Sequence, residues 1–208
     1  MMMVAARTTT SVLAAVLLCT MAFFLLAADA GEVSSHHDLV AKACGGVMRH
    51  RWGLSTTTRE YCESELRSHK QSTAAKNLRD LTLVTIDLMQ SAAADADSKL
   101  SGLSVHSNHS ARTARYCRLD YADLGGTVPV CRAIVEEYMD GDNQLSPADH
   151  FQCMERMANA ASECWSRIVL DKELGKVMSK EVSQLTDRSF LYQAMLEEML
   201  GVIDDNSI

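Results

Sequence analysis

Two pairs of cysteines between residues 117 and 164 lie at nested positions around one turn of the chain. In an antiparallel helical hairpin, the numbers of two residues that face each other have a nearly constant sum. That sum is 281 for Cys117 with Cys164 and 284 for Cys131 with Cys153. The separations within each arm return the second cysteine close to the helix face of the first. The spacing favours the pairs Cys117–Cys164 and Cys131–Cys153, although four cysteines permit three connectivities and the crossed pairing stays open.

The turn of this hairpin has recognisable ends. Asp140-Gly141-Asp142-Asn143 is typical of a helix terminus, and Ser146-Pro147 is typical of a helix start with serine as the N-cap. We therefore expect a long helix on each side of the turn.

Apolar residues spaced by three and four predict four long helices, and no alternating strand pattern competes with them. The predicted seams contain Leu78, Leu81, Thr85, Leu88 and Ala92; Cys117, Tyr121, Leu124, Val128, Cys131, Val135 and Tyr138; Phe151, Met154, Ala158, Ala161, Trp165 and Ile168; and Met178, Val182, Leu185, Ser189, Tyr192, Leu196, Met199 and Ile203. Pro129 predicts a kink or short break in the second of these helices. The sequence therefore predicts an all-α fold, an antiparallel four-helix bundle in one domain.

The first thirty residues are typical of a secretory signal peptide. They contain Arg7, an apolar run from Val12 to Leu26, and the small residues Ala28 and Ala30 flanking Asp29. An uncleaved membrane anchor is the alternative, but the apolar run is short for a membrane span. We expect cleavage of residues 1–30, secretion of residues 31–208 into the extracellular space, and no membrane association afterwards.

Removal of residues 1–30 leaves six of the seven cysteines, an even number in a chain bound for an oxidising compartment. Three disulfides are therefore expected, rather than metal ligands. Cys44 and Cys62 flank a basic loop that contains Trp52, and a bridge between them would tie an N-terminal helical hairpin. Trp52 either covers this hairpin or serves as a contact anchor.

Other motifs bear on modification and on partners. Asn108-His109-Ser110 is an acceptor for N-glycosylation at Asn108 in a polar segment, Ser101 to Ser110, predicted to connect two helices. A net charge of −7, spread along the chain, argues against nucleic acid as a partner.

No catalytic, cofactor-binding or metal-ligating set can be assembled from the sequence motifs. The carboxylates are expected to form a solvated face, since neighbours on a helix point in different directions; they include Asp120, Asp123, Glu136, Glu137, Glu197 and Glu198. We therefore expect that the protein is not an enzyme.

Three stretches, taken in order, resemble the plant invertase and pectin methylesterase inhibitor family. They are Cys44 followed by Tyr61-Cys62 and Leu66, then Cys117-Arg118-Leu119-Asp120-Tyr121, and then Ala158 to Trp165. The resemblance covers essentially residues 31–208. It implies a four-helix bundle with an N-terminal hairpin, and it aligns Cys44–Cys62 and Cys117–Cys164 with the two bridges of the family.

The chain also departs from this family. The loop between Cys44 and Cys62 is longer, Cys131–Cys153 would be an added bridge, and Asp149-His150-Phe151 replaces the Pro-Lys-Phe stretch associated with invertase inhibitors. No pectin methylesterase domain follows, so we expect a free-standing inhibitor.

The resemblance implies a secreted protein inhibitor of the plant cell wall or apoplast. It would form a reversible, non-covalent complex over the active-site cleft of pectin methylesterase. Separately from the resemblance, we expect a monomer. Inhibition of cell-wall or vacuolar acid invertase is the alternative. A structural or small-ligand-binding helical wall protein is the alternative from another class, since fold alone does not determine function.

Overall fold

The computed structural model describes residues 39–48, 58–138 and 147–202. These residues form helices α1 (39–47), α2 (Arg59–Ser68), α3 (Leu78–Gly102), α4 (Asn108–Glu136), α5 (Pro147–Leu170) and α6 (Leu174–Leu200), with a 3₁₀ turn at Lys70–Ala74. Within the described ranges no residue is in a strand. The protein is all-α, as predicted.

Helices α3 to α6 form an antiparallel four-helix bundle. Each packs on the next along the chain, and α6 returns to pack on α3. The described residues from Val40 onward form one compact unit. None of the described helices is long and apolar enough to cross a membrane.

Local capping sets where the bundle helices begin and end. The Asn77 side chain accepts the Asp80 N–H at the start of α3, and the Ser107 hydroxyl accepts the Ser110 N–H at the start of α4. At the end of α6, Gly201 adopts a left-handed conformation with φ of 66°, and the Val202 N–H bonds to the Glu197 carbonyl. This arrangement is a Schellman end, which glycine adopts without a Cβ clash.

Three of the predicted seams are confirmed. In α3, α4 and α6 the predicted residues are buried, apart from the half-buried Leu78 and Tyr138, while Ile203 lies outside the described residues. The α5 seam is wrong at one position, because Trp165 is 41% exposed. The buried face of α5 instead includes Cys153, Met157 and Cys164, because the two cysteines must face α4 to form their bridges.

Two boundaries also differ from the predictions. The segment Ser101–Ser110 was expected to be a connection, but α4 already begins at Asn108, because Ser107 provides the N-cap. The break expected at Pro129 is absent, and α4 continues through it to Glu136. Pro129 is exposed, so the carbonyl that loses its hydrogen bond lies on the solvent side of the helix.

Helices α1 and α2 form the N-terminal hairpin, joined by the Cys44–Cys62 bridge. Arg188 of α6 ties this hairpin to the bundle: its Nε donates to Glu65 Oε2 of α2 at 2.7 Å, and its Nη1 donates to the Leu88 carbonyl of α3 at 2.9 Å. One guanidinium thus connects three helices. The loop that contains Trp52 lies outside the described residues, as do residues 1–30.

Candidate functional site

The disulfides join the cysteines in the pairs that the sequence favours. Cys44–Cys62 connects α1 to α2, while Cys117–Cys164 and Cys131–Cys153 both connect α4 to α5. The Cα atoms of the latter two pairs lie 4.7 Å and 5.4 Å apart. Both bridges are buried, so two helices are held together along much of their length.

A buried tyrosine accompanies the Cys117–Cys164 bridge. The Tyr121 hydroxyl donates to Cys164 Sγ at 2.9 Å. Burial raises the pKa of Tyr121 far above its ordinary value, with nearby carboxylates adding to the effect, so the hydroxyl stays neutral and keeps its proton. The bridge and the tyrosine make this section of the α4–α5 pair a fixed platform.

An ion-pair network lies on the surface directly above this platform. Arg167 of α5 bonds to Asp120 of α4 through Nη1 and to Glu163 through Nη2, and its guanidinium lies 5.7 Å from the centroid of the Tyr116 ring. Tyr116 is 51% exposed. We call Tyr116, Asp120, Glu163 and Arg167 the α4–α5 ridge.

The charges of the ridge are partly shielded from water. Burial raises the pKa of Asp120, while the charge and the hydrogen bond of Arg167 oppose that rise. Because the guanidinium has fixed geometry and always carries its charge, it holds both carboxylates and the aromatic ring in one arrangement. The ridge is therefore an ordered aromatic and charged surface.

A second polar cluster closes one end of the bundle. Asp171 Oδ1 accepts hydrogen bonds from the Ser110 hydroxyl at 2.9 Å and from the backbone N–H groups of Glu173 and Leu174, each at 3.0 Å. The Glu173 carboxylate accepts the N–H groups of His106 and Ser107. We call Ser107, Ser110, Asp171 and Glu173 the capping cluster. It joins the start of α4 to the start of α6.

The capping cluster favours the ionised form of its carboxylates. Burial alone would raise the pKa of Asp171, but the hydrogen bonds from Leu174, Ser110 and Glu173 outweigh it and hold the pKa below its ordinary value. For Glu173, chiefly the hydrogen bond from His106 N–H lowers the pKa. His109 Nε2 also approaches Asp171 Oδ2 at 3.7 Å, where a protonated imidazole would add to the effect. These hydrogen bonds hold the start of α4 against the start of α6.

The predicted glycosylation residue, Asn108, is the first residue of α4 and is exposed. Its sequon partner Ser110 is buried in the capping cluster. Among the described residues, no three His, Cys, Asp or Glu side chains are arranged to hold a metal ion.

The carboxylates singled out in the sequence differ in their exposure to solvent. Asp123, Glu136 and Glu137 are exposed, and Asp120 belongs to the ridge. Glu197 departs from the expected solvated face, since it is buried in α6.

The stretch Asp149-His150-Phe151 lies in the first turn and a half of α5 and mainly faces inward. His150 is buried edge-on against the Tyr138 ring, with centroids 5.6 Å apart, and Phe151 is half-buried against the core. This stretch presents little surface to a partner.

The ridge and the capping cluster were both missed by reasoning from sequence. Their contacts join residues 47 and 61 positions apart, beyond the reach of helical periodicity. A local signal existed for the capping cluster, because Ser107 lies three residues before Ser110 and Asp171 three before Leu174. For the ridge, the local signal is the i,i+4 pair of Glu163 and Arg167, whereas the contact of Arg167 with Asp120 has none.

Comparison of the chain with protein-family models and with curated proteins finds no match.

Proposed function

We propose that this protein is a secreted inhibitor of pectin methylesterase that binds reversibly and without a covalent step. A rigid helical surface would cover the active-site cleft of the target. The observation that carries the proposal is the α4–α5 pair, in which two buried disulfides hold an exposed aromatic and charged ridge. The sequence resemblance supplies the target class.

Rigidity matters because association costs conformational entropy. A surface that is already ordered loses less freedom on binding, and more of its contact energy appears as affinity. Here the Arg167 guanidinium fixes the side chains of the ridge, and the bridges fix the helices beneath them.

Tyr116 is the residue that we expect to contribute most to the contact. Partly exposed aromatic and arginine side chains dominate binding energy at protein interfaces, and Tyr116 lies beside Arg167. Trp165 is also partly exposed on α5, but it projects from another side of the helix and belongs to no ion-pair network among the described residues. These two aromatics form a matched pair for a test.

The test is a titration of the disulfide-bonded protein into pectin methylesterase and, separately, into acid invertase at mildly acidic pH, with residual activity as the readout. We expect stoichiometric loss of pectin methylesterase activity alone. Loss of only invertase activity would reassign the target, and retention of both activities across several isoforms would refute the inhibitor proposal.

The same titration with two variants tests the contact. Tyr116→Ala should weaken inhibition by about tenfold or more, while Trp165→Ala should change it little. Equal effects of the two substitutions would show that the ridge is not the contact.

A further inference from the structure

The side of α4 that faces away from the bundle carries an uncharged central stripe. At 100° per residue, nine exposed residues fall within roughly 40° of the direction opposite the buried Cys117, and the first of them is Asn108 at the start of the helix. We call the eight that follow Asn108 the outer face of α4: Arg112, Arg115, Leu119, Ala122, Gly126, Val130, Ala133 and the C-cap residue Glu137. Leu119 is 64% exposed and Val130 is 58% exposed, and no described helix covers them.

The protomer gives no reason for a glycine on this face. A Cβ added to Gly126 would meet no atom within 4 Å, and its φ is not positive. Glycine within a helix costs about 1 kcal/mol relative to alanine. The small residue at position 126 is therefore unnecessary for this fold, although it would allow another backbone to approach closely.

The outer face is symmetric about Gly126. Ala122 and Val130 lie four residues from it, Leu119 and Ala133 lie seven, and Arg115 and Glu137 lie eleven. An antiparallel copy of α4 centred on the same glycine would place Val130 opposite Ala122 and Leu119 opposite Ala133. Each large apolar side chain would then face a small one.

The charges follow the same symmetry. The outer face is basic at its start, with Arg112 and Arg115, and acidic at its end, with Glu137. In the antiparallel arrangement Arg115 of one copy would lie opposite Glu137 of the other, twice in the pair. Neither residue forms an ion pair with another described residue of its own chain. The face is complementary to itself in size and in charge.

We propose that the outer face of α4 is a docking surface for a second copy of this chain, forming a two-fold symmetric dimer in solution. Such an interface is isologous, since the same patch is used on both partners. It differs from the monomer that we expected from the sequence, and the proposal does not rest on the proposed inhibitor function.

The first test is sedimentation velocity of the disulfide-bonded protein over a wide concentration range in low-salt buffer. We expect a reversible monomer–dimer equilibrium. Gly126→Leu should raise the dimer dissociation constant by about tenfold or more, because leucine would separate the two backbones at their crossing point.

Gly125→Leu is the matched control. A Cβ at Gly125 also meets no atom within 4 Å, but this residue points about 100° away from the centre of the outer face. At protein concentrations below the dimer dissociation constant, both variants should therefore have unfolding temperatures at least equal to that of the wild type, and at higher concentrations only Gly126→Leu should lack the dimer. Equal effects of the two substitutions on dimerisation would refute the proposal.

The second test is charge reversal. Arg115→Glu and Glu137→Arg should each weaken the dimer severalfold in low salt, and the double variant should restore it. Rescue by the double variant would distinguish pairing of two copies from binding of an unrelated protein. A wild-type protein that stays monomeric at every concentration, or a double variant without rescue, would overturn the proposal.

Discussion

At the scale of single residues, Asp171 links the starts of two helices through its side chain. It is 2% exposed, and its Oδ1 atom accepts three hydrogen bonds from the starts of α4 and α6. We expect Asp171→Ala to lower the free energy of unfolding by ~2 kcal/mol, because it removes a cap and leaves the buried Ser110 hydroxyl without its acceptor. Urea denaturation measures this. Asp171→Asn keeps the amide oxygen as an acceptor and should cost clearly less, and an equal loss would contradict the assigned bonds.

The same cluster predicts how stability depends on pH. The folded-state pKa values of Asp171 and Glu173 lie below the ordinary values of 3.8 and 4.5. Their stabilising contribution is therefore complete above the ordinary values and is lost as the pH falls through the lowered ones. The unfolding temperature should show no loss from this source at mildly acidic pH and should fall below about pH 4. In Asp171→Asn the fall should be shallower, and an unchanged slope would contradict the prediction.

Individual residues were predictable where periodicity determines burial. Leu81, Leu124 and Leu185 lie on regular seams and are buried. Trp165 was misassigned because the predicted α5 seam lies one residue, about 100°, around the helix from the face that carries Cys153 and Cys164. Contacts such as that of Arg167 with Asp120 depend on which helix faces which, and one sequence does not supply that information.

At the scale of helices, the glycines of the bundle divide into two kinds. A Cβ at Gly125 would meet open space, whereas at Gly175 it would lie 3.1 Å from the Ile168 carbonyl oxygen. Gly125→Ala should stabilise the protein by about 0.5–1 kcal/mol, since alanine has the higher helix propensity. Gly175→Ala should gain nothing, because the start of α6 would have to move away from the end of α5. Thermal unfolding of the two variants compares them directly, and equal stabilisation would contradict this difference.

The Cys131–Cys153 bridge should act locally. It joins the later half of α4 to the beginning of α5, 22 residues apart in the chain. Replacing both cysteines by serine should cost up to about 3 kcal/mol, with less if the Cys117–Cys164 bridge already restricts the unfolded chain. Hydrogen exchange should quicken mainly around Val128–Val135 and Cys153–Met157. A uniform increase across the bundle would show that the two bridges act as one unit.

Helix existence and order were predictable, but helix starts were less so. The start of α5 at Pro147 was predicted correctly from the Ser146-Pro147 signal, whereas the periodic pattern placed the start of the fourth bundle helix near Met178 and the structure begins it at Leu174. Capping groups determine such boundaries, and the Asp171 cap of α6 depends partly on Ser110 in another helix. The continuity of α4 through Pro129 likewise depends on its solvent-facing position and on the neighbouring bridge to Cys153.

At the scale of the whole molecule, Arg188 couples the N-terminal hairpin to the bundle. We expect Arg188→Met to keep most of the side-chain volume, to remove the bonds to Glu65 and the Leu88 carbonyl, and to lower the free energy of unfolding by about 2 kcal/mol. Hydrogen exchange should accelerate in α2 before it does in α4 and α5. Arg67→Met, in which the lost partner is the exposed i,i+4 pair with Glu63, is the control and should have little effect.

The fold as a whole was accessible from sequence because two independent constraints coincide. The nested cysteines require an antiparallel pair, and the apolar seams of α3 and α6 require two further helices to cover it. The proposed function rests on exposed residues such as Tyr116, which no packing requirement constrains. For that reason the packing pattern in the sequence was enough to predict the fold, whereas the target enzyme remains a proposal.

The contact between Ser110 and Asp171 also fixes when, during synthesis, the Asn108 sequon can become buried. The two residues are 61 positions apart, so the Ser110 hydroxyl meets its partner only after the end of α5 has been synthesised. For a chain that enters a secretory compartment from its N-terminus, the Asn108 sequon would remain open during that interval and then close into the first turn of α4. A sugar chain could then be attached to Asn108 only before the bundle closes, because closure buries Ser110 against Asp171.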